Sequence, residues 1–461
     1  MKKFIVMVLG VLSVFTLAAC EREEVESSVI FDEDEGRFEL EEGAEIQIGV
    51  DSDDLGQAIV DQWEEDYPEH ADVLSATNYD SVNSESGGME GLELMEDEAP
   101  DVALVIDNEV IGREPAARNL HEYFPNEIFD QTNPIQEDIN QLGDFYLPAF
   151  YDGMVFSWNA TMLEELGVDT DDVTQNNLPA ELSTWEDIFQ FVEDEYGTES
   201  DERPEFEGNT IREFFPVSLA EAWSGYPQLS TGGWQIYGEG DYTDPEFDSP
   251  EFLAGLEFLE EFSNTNMSVD ETGEIRSSGE MDWRWENYLE GDYPLGLVGT
   301  WMDIEGQMED TGYDFRFSTM PTYDDMTPAT LYKTKGFVIN AATEYPSAAN
   351  EVLRWLYTEN TQTNMINNSA YLPAVEDDAE IFPTIEEDYK QGMTEGLQHS
   401  HLEPAETLPN NPSVRAMSVY YNIGVEDYMM ELWDGALTPQ ETQDAIADAA
   451  DSWIEDNNTL D

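Results

Sequence analysis

The stretch EAPDVALVIDNEVIG (98–112) carries five consecutive apolar residues, Val102 to Ile106, between Pro100-Asp101 and Asp107-Asn108-Glu109. An unbroken apolar run of that length predicts a strand covered on both faces, the type found in parallel sheets packed between helices. Other segments agree. EIQIGV (45–50) alternates like a strand, and Gln57 to Asp66 sets Ile59, Val60 and Trp63 at helical spacing, with Asp53 or Asp54 as N-cap. Phe150 to Trp158 reads as a strand, Trp185 to Glu195 and Glu251 to Ser263 as helices. Leu295 to Val298 and Gly336 to Asn340 then read as strands, and Pro346 to Glu359 as a helix. Strands alternating with helices give an α/β fold. At 461 residues two lobes are expected. No repeat of fixed period and no Pro- or Ser-rich linker interrupts the chain after residue 43, so it should cross between lobes more than once.

Charge limits the partners. With 105 Asp and Glu against 16 Lys and Arg, the formal charge is −89. Such a chain repels nucleic acid and anionic membrane surfaces, and it strains its own compact state unless salt screens it. The acids are spread along the whole chain, which points to a surface adapted to a salty or alkaline habitat rather than to an acidic site. Disorder is excluded by 40% apolar residues, with 11 Trp, 21 Tyr and 22 Phe able to fill a large core.

The first twenty residues, MKKFIVMVLGVLSVFTLAAC, add an address. Lys2 and Lys3 precede an uncharged apolar run from Phe4 to Leu17, closed by Ala18 and Ala19, which is the layout of a secretory signal over residues 1–19. Leu17-Ala18-Ala19-Cys20 resembles a bacterial lipobox, in which Cys20 is lipidated and becomes the mature N-terminus. The bland alternative is an ordinary residue beside an ordinary cleavage site; that this is the chain's one cysteine favours the anchor. Removal of the signal takes the charge to about −91. Residues 20–42 lack sustained periodicity and read as an acidic flexible tether.

Four segments invite a functional reading. Asp107, Asn108 and Glu109 are delivered to a loop past the end of a buried strand, where open α/β sheets bind ligands, although taken alone a helix cap with surface acids is the stronger reading. In FYLPAFYDGMVFSWN (145–159), Asp152 interrupts an aromatic, apolar stretch and needs a partner there. Asn159 opens a helix, and Thr184 caps another with Asp187 three residues on. Trp301 follows Gly299-Thr300 at a strand end and can face a cleft or plug the sheet edge. Tyr420 and Tyr421 head a helix with Trp433 near its end; Asp434-Gly435 forms a turn, and Thr438-Pro439 starts a further helix capped by Glu441.

In their order and spacing these segments resemble bacterial extracellular solute-binding proteins of the carbohydrate ABC-transport type, the maltose- and maltodextrin-binding proteins among them. The resemblance covers most of residues 43–455. It rests on Pro100-Asp101 before a strand, Pro148 to Asn159, Ser183-Thr184-Trp185-Glu186 and Gly291 through Gly299-Thr300-Trp301. To these it adds KGFVINAATEYPSAANEVLRWLYTEN (335–360), Tyr371-Leu372-Pro373-Ala374 and Asp434-Gly435 with its following helix. It implies a two-lobed periplasmic-binding-protein-like α/β fold with a ligand cleft between lobes. Lobe 1 would comprise residues 43–150 and 333–372, and lobe 2 residues 151–332 and 373–461.

The resemblance also implies a non-enzymatic, lipid-anchored receptor on the extracellular face of the cell membrane. It would capture an oligosaccharide by hinge closure and deliver it to ABC-transporter permease subunits, with no cofactor and no nucleic acid. Asp152, with Asn108 and Glu109, would bond hydroxyls; Trp301, Tyr420, Tyr421 and Trp223 would stack on sugar rings. Asn108 and Glu109 stand where maltodextrin binders carry Asp-Arg, and Val105 replaces an aromatic, so the sugar need not be a maltodextrin. The same fold binding another oligosaccharide, a peptide or a metal chelate remains open, as does a secreted glycosidase.

Other chemistries find little support. No GxSxG, HExxH or GxxxxGK[ST] pattern occurs. His399 and His401 lack a cysteine partner for a metal site, and the calcium-loop-like run from Asp51 to Gly56 has Gln62 where a bidentate Glu belongs. The acidic surface carries its own expectation: the thermal midpoint of the mature chain should climb steeply between millimolar and molar NaCl. A midpoint indifferent to salt in calorimetry would show that self-repulsion is already balanced inside the fold.

Overall fold

A computed structural model describes residues 29–32, 35–79, 88–95, 99–110, 113–120, 145–196, 203–220, 222–236, 244–270, 274–280, 284–330, 332–375, 379–400 and 417–457. Cys20 and the signal lie outside the described residues. Twelve strands are named in chain order among them. β1 (Phe31–Asp32) and β2 (Arg37–Phe38) form a small hairpin; β3 (Ile46–Val50), β4 (Leu74–Asn78) and β5 (Val102–Ile106) run parallel. β6 (Leu147–Asn159) is the long strand, and β7 (Glu205–Phe206) pairs β8 (Asn209–Thr210). β9 (Leu295–Gly299), β10 (Phe315–Ser318), β11 (Tyr332–Ile339) and β12 (Leu372–Pro373) complete the set.

The main sheet has the order β10-β6-β11-β5-β3-β4, with β9 and β12 also pairing β6. The VALVI run is β5, buried at all five positions between parallel β3 and antiparallel β11. On one face helices Asp53–Asp66 and Pro346–Leu356 bury Leu55, Ile59, Trp63, Val352 and Leu353 with Val102 and Leu104; on the other, Met89 and Leu92 of helix Gly88–Met95 pack with Ala103 and Val105.

β6 serves two cores. Its first half, Leu147 to Gly153, pairs β11; its second half pairs β9 through Met154↔Gly299 to Trp158↔Leu295, and β10 through Asn159↔Phe315 to Phe156↔Ser318. One large core gathers Leu147, Ala149 and Phe150 with the parallel strands. The other gathers Met154, Phe156 and Trp158 with helices Trp185–Glu195, Ala222–Ser230, Pro250–Ser263, Val425–Trp433 and Pro439–Asn457. The fold is therefore a mixed α/β, two-lobed one.

Local signals account for most boundaries. Thr184 accepts the Asp187 amide at 3.0 Å, Asn159 accepts that of Met162 at 3.0 Å, and the Thr438 amide donates to Glu441 at 3.0 Å. Several expectations are corrected. The N-cap of the first helix is Ser52, whose hydroxyl accepts the Leu55 amide, with Asp53 and Asp54 in the first turn near the positive end of the helix dipole. The helix expected from Pro346 to Glu359 stops at Leu356, and a second runs from Glu359 to Asn367. Tyr420 and Tyr421 lie on a short helix, Met417–Asn422, separated from Val425–Trp433 at Gly424. The sequence predicts a loop after β5, but Asp107 to Val110 form one helical turn.

Part of the segment read as a tether packs onto the globule. Phe38 in β2 is buried, and its amide donates to Glu351 at 2.8 Å, while both oxygens of Glu41 accept amides of Ser347 and Ala348 at the start of helix Pro346–Leu356. Residues read as a solvated spacer thus cap a core helix.

Helix Pro250–Ser263 crosses helix Ala222–Ser230 so closely that a methyl group on Gly255 would overlap the Leu229 carbonyl oxygen. Gly255→Ala should therefore destabilise the protein by about 1–3 kcal/mol through overpacking. A urea midpoint unchanged from the parent would mean that the two helices separate without cost.

Candidate functional site

Asp51 follows β3 and Asp107 follows β5, so both carboxylates lie at the carboxyl ends of parallel strands. Asp51 Oδ2 accepts from Lys335 Nζ at 2.8 Å and from the Tyr371 hydroxyl at 2.7 Å, while its Oδ1 is buried without a hydrogen-bond partner. Lys335 also donates to the Tyr371 oxygen and lies 4.3 Å from that ring's centroid. The side chains of the ion pair are only 7% and 11% exposed, so the charges meet in a poorly solvated setting where each depends on the other. Asp107 Oδ2 accepts the Thr334 amide and hydroxyl, both at 2.9 Å, and Thr334 Oγ1 in turn meets the Tyr146 hydroxyl at 2.9 Å.

A β-bulge between Lys335 and Gly336 makes this crowding possible. Lys335 pairs Phe150 but Gly336 pairs Pro148, so the ladder skips Ala149, whose carbonyl accepts the Ala374 amide instead. Pro148 has no N–H to lose, and the bulge re-aims the two residues ahead of it. Beyond it, Lys333 stands opposite Asp152 on β6.

Thr300 ties the next strand to the same edge. Its amide donates to the Gly153 carbonyl at 3.0 Å, and its hydroxyl accepts the Gly153 amide at 3.4 Å. Trp301 therefore leaves the sheet beside the Asp152-Gly153 step. Its indole folds back over the end of β9, where a Cβ on Gly299 would come within 2.5 Å of the ring, so glycine alone admits that packing. Even so packed, the residue is 43% exposed.

Glu109 lies near the Lys333 side of the same rim. Its Oε2 accepts the Met89 amide at 3.2 Å. Burial raises its carboxyl pKa above the ordinary Glu value, against the Met89 bond and the charges of Arg113 and Lys333, which lower it. Asn108 shares the helical turn Asp107–Val110 with it. Asn108 and Glu109 thus lie just past the end of β5, Asp152 within β6 opposite Lys333 of β11, and Trp301 just past the end of β9.

Tyr420 and Tyr421 lie on helix Met417–Asn422, which packs against helix Ala222–Ser230 through Tyr420. Trp223 lies in helix Ala222–Ser230, and the Tyr420 hydroxyl donates to the Ala222 carbonyl at 2.7 Å. Tyr420 is a correction: it is fully buried, edge-on to Tyr226 at 5.7 Å and tilted to Trp234 at 6.4 Å, so neither ring face is open to a sugar. Successive helical residues diverge by about 100°, and it is Tyr421 that points outward, 40% exposed.

Asp51, Lys335 and Tyr371 were missed by sequence reasoning. A lysine at the head of the run KGFVIN was the available signal, because the chain has only five lysines. Elsewhere, a groove of about 580 Å³ runs between helices Asp53–Asp66 and Glu359–Asn367. Asp54, Asp61, Gln62 and Asn364 are among its lining residues and no aromatic ring is, so a sugar would find nothing to stack on there. Among the described residues no helix is long and apolar enough to cross a membrane.

Comparison with known proteins bears on these features. The family described as bacterial extracellular solute-binding protein matches residues 93–391. Among solved structures, the maltose-binding periplasmic protein MalE of Listeria monocytogenes, crystallised in complex with maltose, superposes with a TM-score of 0.67 at 14% identity. The match covers 91% of this chain and 100% of that one. No curated protein matches the sequence.

The raised Glu109 pKa has a sign that can be checked. A carboxyl whose folded pKa lies above its unfolded value favours the fold at acid pH, and that contribution is lost as pH rises through the folded pKa. Glu109→Gln should therefore raise the thermal midpoint of the unliganded protein at pH 7, and the gain should vanish below the ordinary carboxylate range. A gain of equal size at pH 3.5 and pH 7 would detach the effect from ionisation.

Proposed function

This chain belongs to the bacterial extracellular solute-binding proteins, and from that premise we propose that it captures an oligosaccharide outside the cytoplasm and delivers it to an ABC-transporter permease. Lipidation at Cys20 would keep it at the extracellular face of the membrane. The lobes would be residues 43–150 with 333–372, and 151–332 with 373–461, closing on the sugar as on a hinge. A sugar that touches both lobes favours the closed state by its differential affinity for that state.

The observation that carries the sugar reading is the Trp301 indole, half-exposed and held beside the Asp152-Gly153 step by the Thr300 pair of hydrogen bonds. An aromatic face next to charged groups suits a pyranose, whose C–H face stacks while its hydroxyls donate and accept. Asp152 on β6, with Asn108 and Glu109 past the end of β5, would bond hydroxyls, joined by Asp51, whose Oδ1 is buried without a hydrogen-bond partner. Trp223 and Tyr421 would add stacking faces. Tyr420 would support Tyr421 from beneath, edge-to-face at 5.5 Å, rather than touch the solute. Maltose bound to the Listeria protein makes a maltodextrin-like sugar the first candidate.

Tryptophan fluorescence of the soluble form lacking residues 1–20, in high salt, should change saturably at micromolar sugar with one series among maltodextrins, β-linked oligosaccharides and galacto-oligosaccharides. Trp301→Ala should weaken that binding at least about tenfold, the scale of one lost stacked ring, with the thermal midpoint nearly unchanged. Equal affinity of mutant and parent would remove Trp301 from the site. Silence across the panel, in folded protein, would transfer the cleft to another solute class.

A further inference from the structure

Five lysines occur in the chain, and the three beyond the signal, Lys333, Lys335 and Lys390, all lie in the described globule close to where it passes between its two cores. Two of them converge on one short segment. Helix Glu359–Asn367 packs Met365 and Ile366 into the core of the parallel strands; the chain then runs through Ser369 and Tyr371 into β12, which pairs β6 at Tyr151 and Phe150. Lys335 reaches that segment from β11 through Tyr371, with Asp51 as the shared anion. Lys390 reaches it from the other side. It sits on helix Asp388–Ser400, whose Met393 packs with Val155, Val298 and Phe317 on the second half of β6 and its neighbours.

Lys390 Nζ donates to the carbonyls of Ile366 and Ser369, each at 2.9 Å, and lies 3.6 Å from Glu387. Its side chain is 4% exposed. The Ile366 carbonyl lies in the last turn of helix Glu359–Asn367, at the negative end of its dipole, and the Ser369 carbonyl just beyond it, so a buried ammonium meets both favourably. A compact head with three donors on a flexible stem suits three acceptors set around one point, which the planar fork of arginine does not.

We propose that Lys335 and Lys390 form a two-sided charge clamp on residues 366–373, and that this clamp sets the balance between open and closed arrangements of the lobes. Lys390 joins a helix of one lobe to the last turn of a helix in the other. Lys335, with Asp51 and Tyr371, holds the far end of the same segment against the strand-end rim. The inference rests on the hinge reading of the two lobes and not on the identity of the solute. Lys390 is a positioning residue in this account: it touches the crossing segment and no solute.

The soluble chain from residue 21 has no cysteine, so a spin-label pair is easily placed at exposed Glu64→Cys and Glu257→Cys, one on each lobe. Electron–electron distance measurement on the unliganded protein needs no sugar, and so it remains decisive if the sugar reading fails. The parent should give one narrow distance distribution. Lys390→Met should broaden or shift it, and Tyr371→Phe, which removes one bond to Asp51 and leaves the ring, should do so to a smaller extent. With maltotriose as probe, a clamp would appear as a several-fold change in dissociation rate for Lys390→Met, although that residue lines no cleft. Folded Lys390→Met with the parental distribution would overturn the clamp, even with a lowered melting point, because the lysine would then be a staple alone. Should Lys390→Met fail to fold, Tyr371→Phe decides the matter by the same criterion.

Discussion

The ladder along β6 is the interaction on which the remainder depends. Thirteen consecutive residues keep one strand continuous while the partners change from β11 and β12 to β9 and β10, and the burying faces change with them from one core to the other. A backbone hydrogen bond has little freedom in distance or angle, so this strand holds the two halves together along one common line. The bulge at Lys335-Gly336 and the Thr300–Gly153 pair both occur close to the change of partner. That is why acids, lysines and an exposed tryptophan gather there: the ladder is interrupted, and backbone and side chains have room to turn outward.

The charge imbalance has a structural counterpart in where the few cations lie. Glu213, buried, is held by Arg276 at 2.8 Å and by Arg284. Glu351, equally buried, takes Arg354 at 2.6 Å, the Tyr67 hydroxyl at 2.5 Å and the Phe38 amide at 2.8 Å. A buried carboxylate without such partners would cost far more than an exposed one, so scarce guanidinium groups do most where water is absent. Acids left at the surface need only ions from solution. Among the described residues, arginines thus serve buried carboxylates while most surface acids are left to the salt.

Much of this was legible in the sequence. The VALVI run announced β5 with its burial on both faces, and the caps at Asn159 and Thr184 were legible because a short polar side chain before an apolar helix has few other uses. What escaped detection was set by distant pairing. Asp51 meets residues 284 and 320 positions further on, and nothing within its own neighbourhood marks it as anything but a helix cap. Tyr420 was misassigned for a different reason. Adjacent tyrosines on a helix look alike in one dimension, and only the turn of the helix decides which of them faces the core. The half of the proposed tether that folds back was hidden by its acids, two of which, Glu41 and Asp32, accept backbone amides.

The pairing of β5 with β11 also governs how this molecule comes into being. Ile106 waits for Lys335 to close the ladder, a separation of more than two hundred residues. At roughly 5–20 residues per second of synthesis, the open edge of β5 persists for about ten seconds or longer before its neighbour exists. Throughout that interval the first sheet has no complete form to adopt, and the crowd of like charges opposes collapse into a wrong one. For a member of an extracellular family such delay has a use: the topology postpones the completed sheet until β11 has been made, and the surplus of acid keeps the unfinished molecules apart.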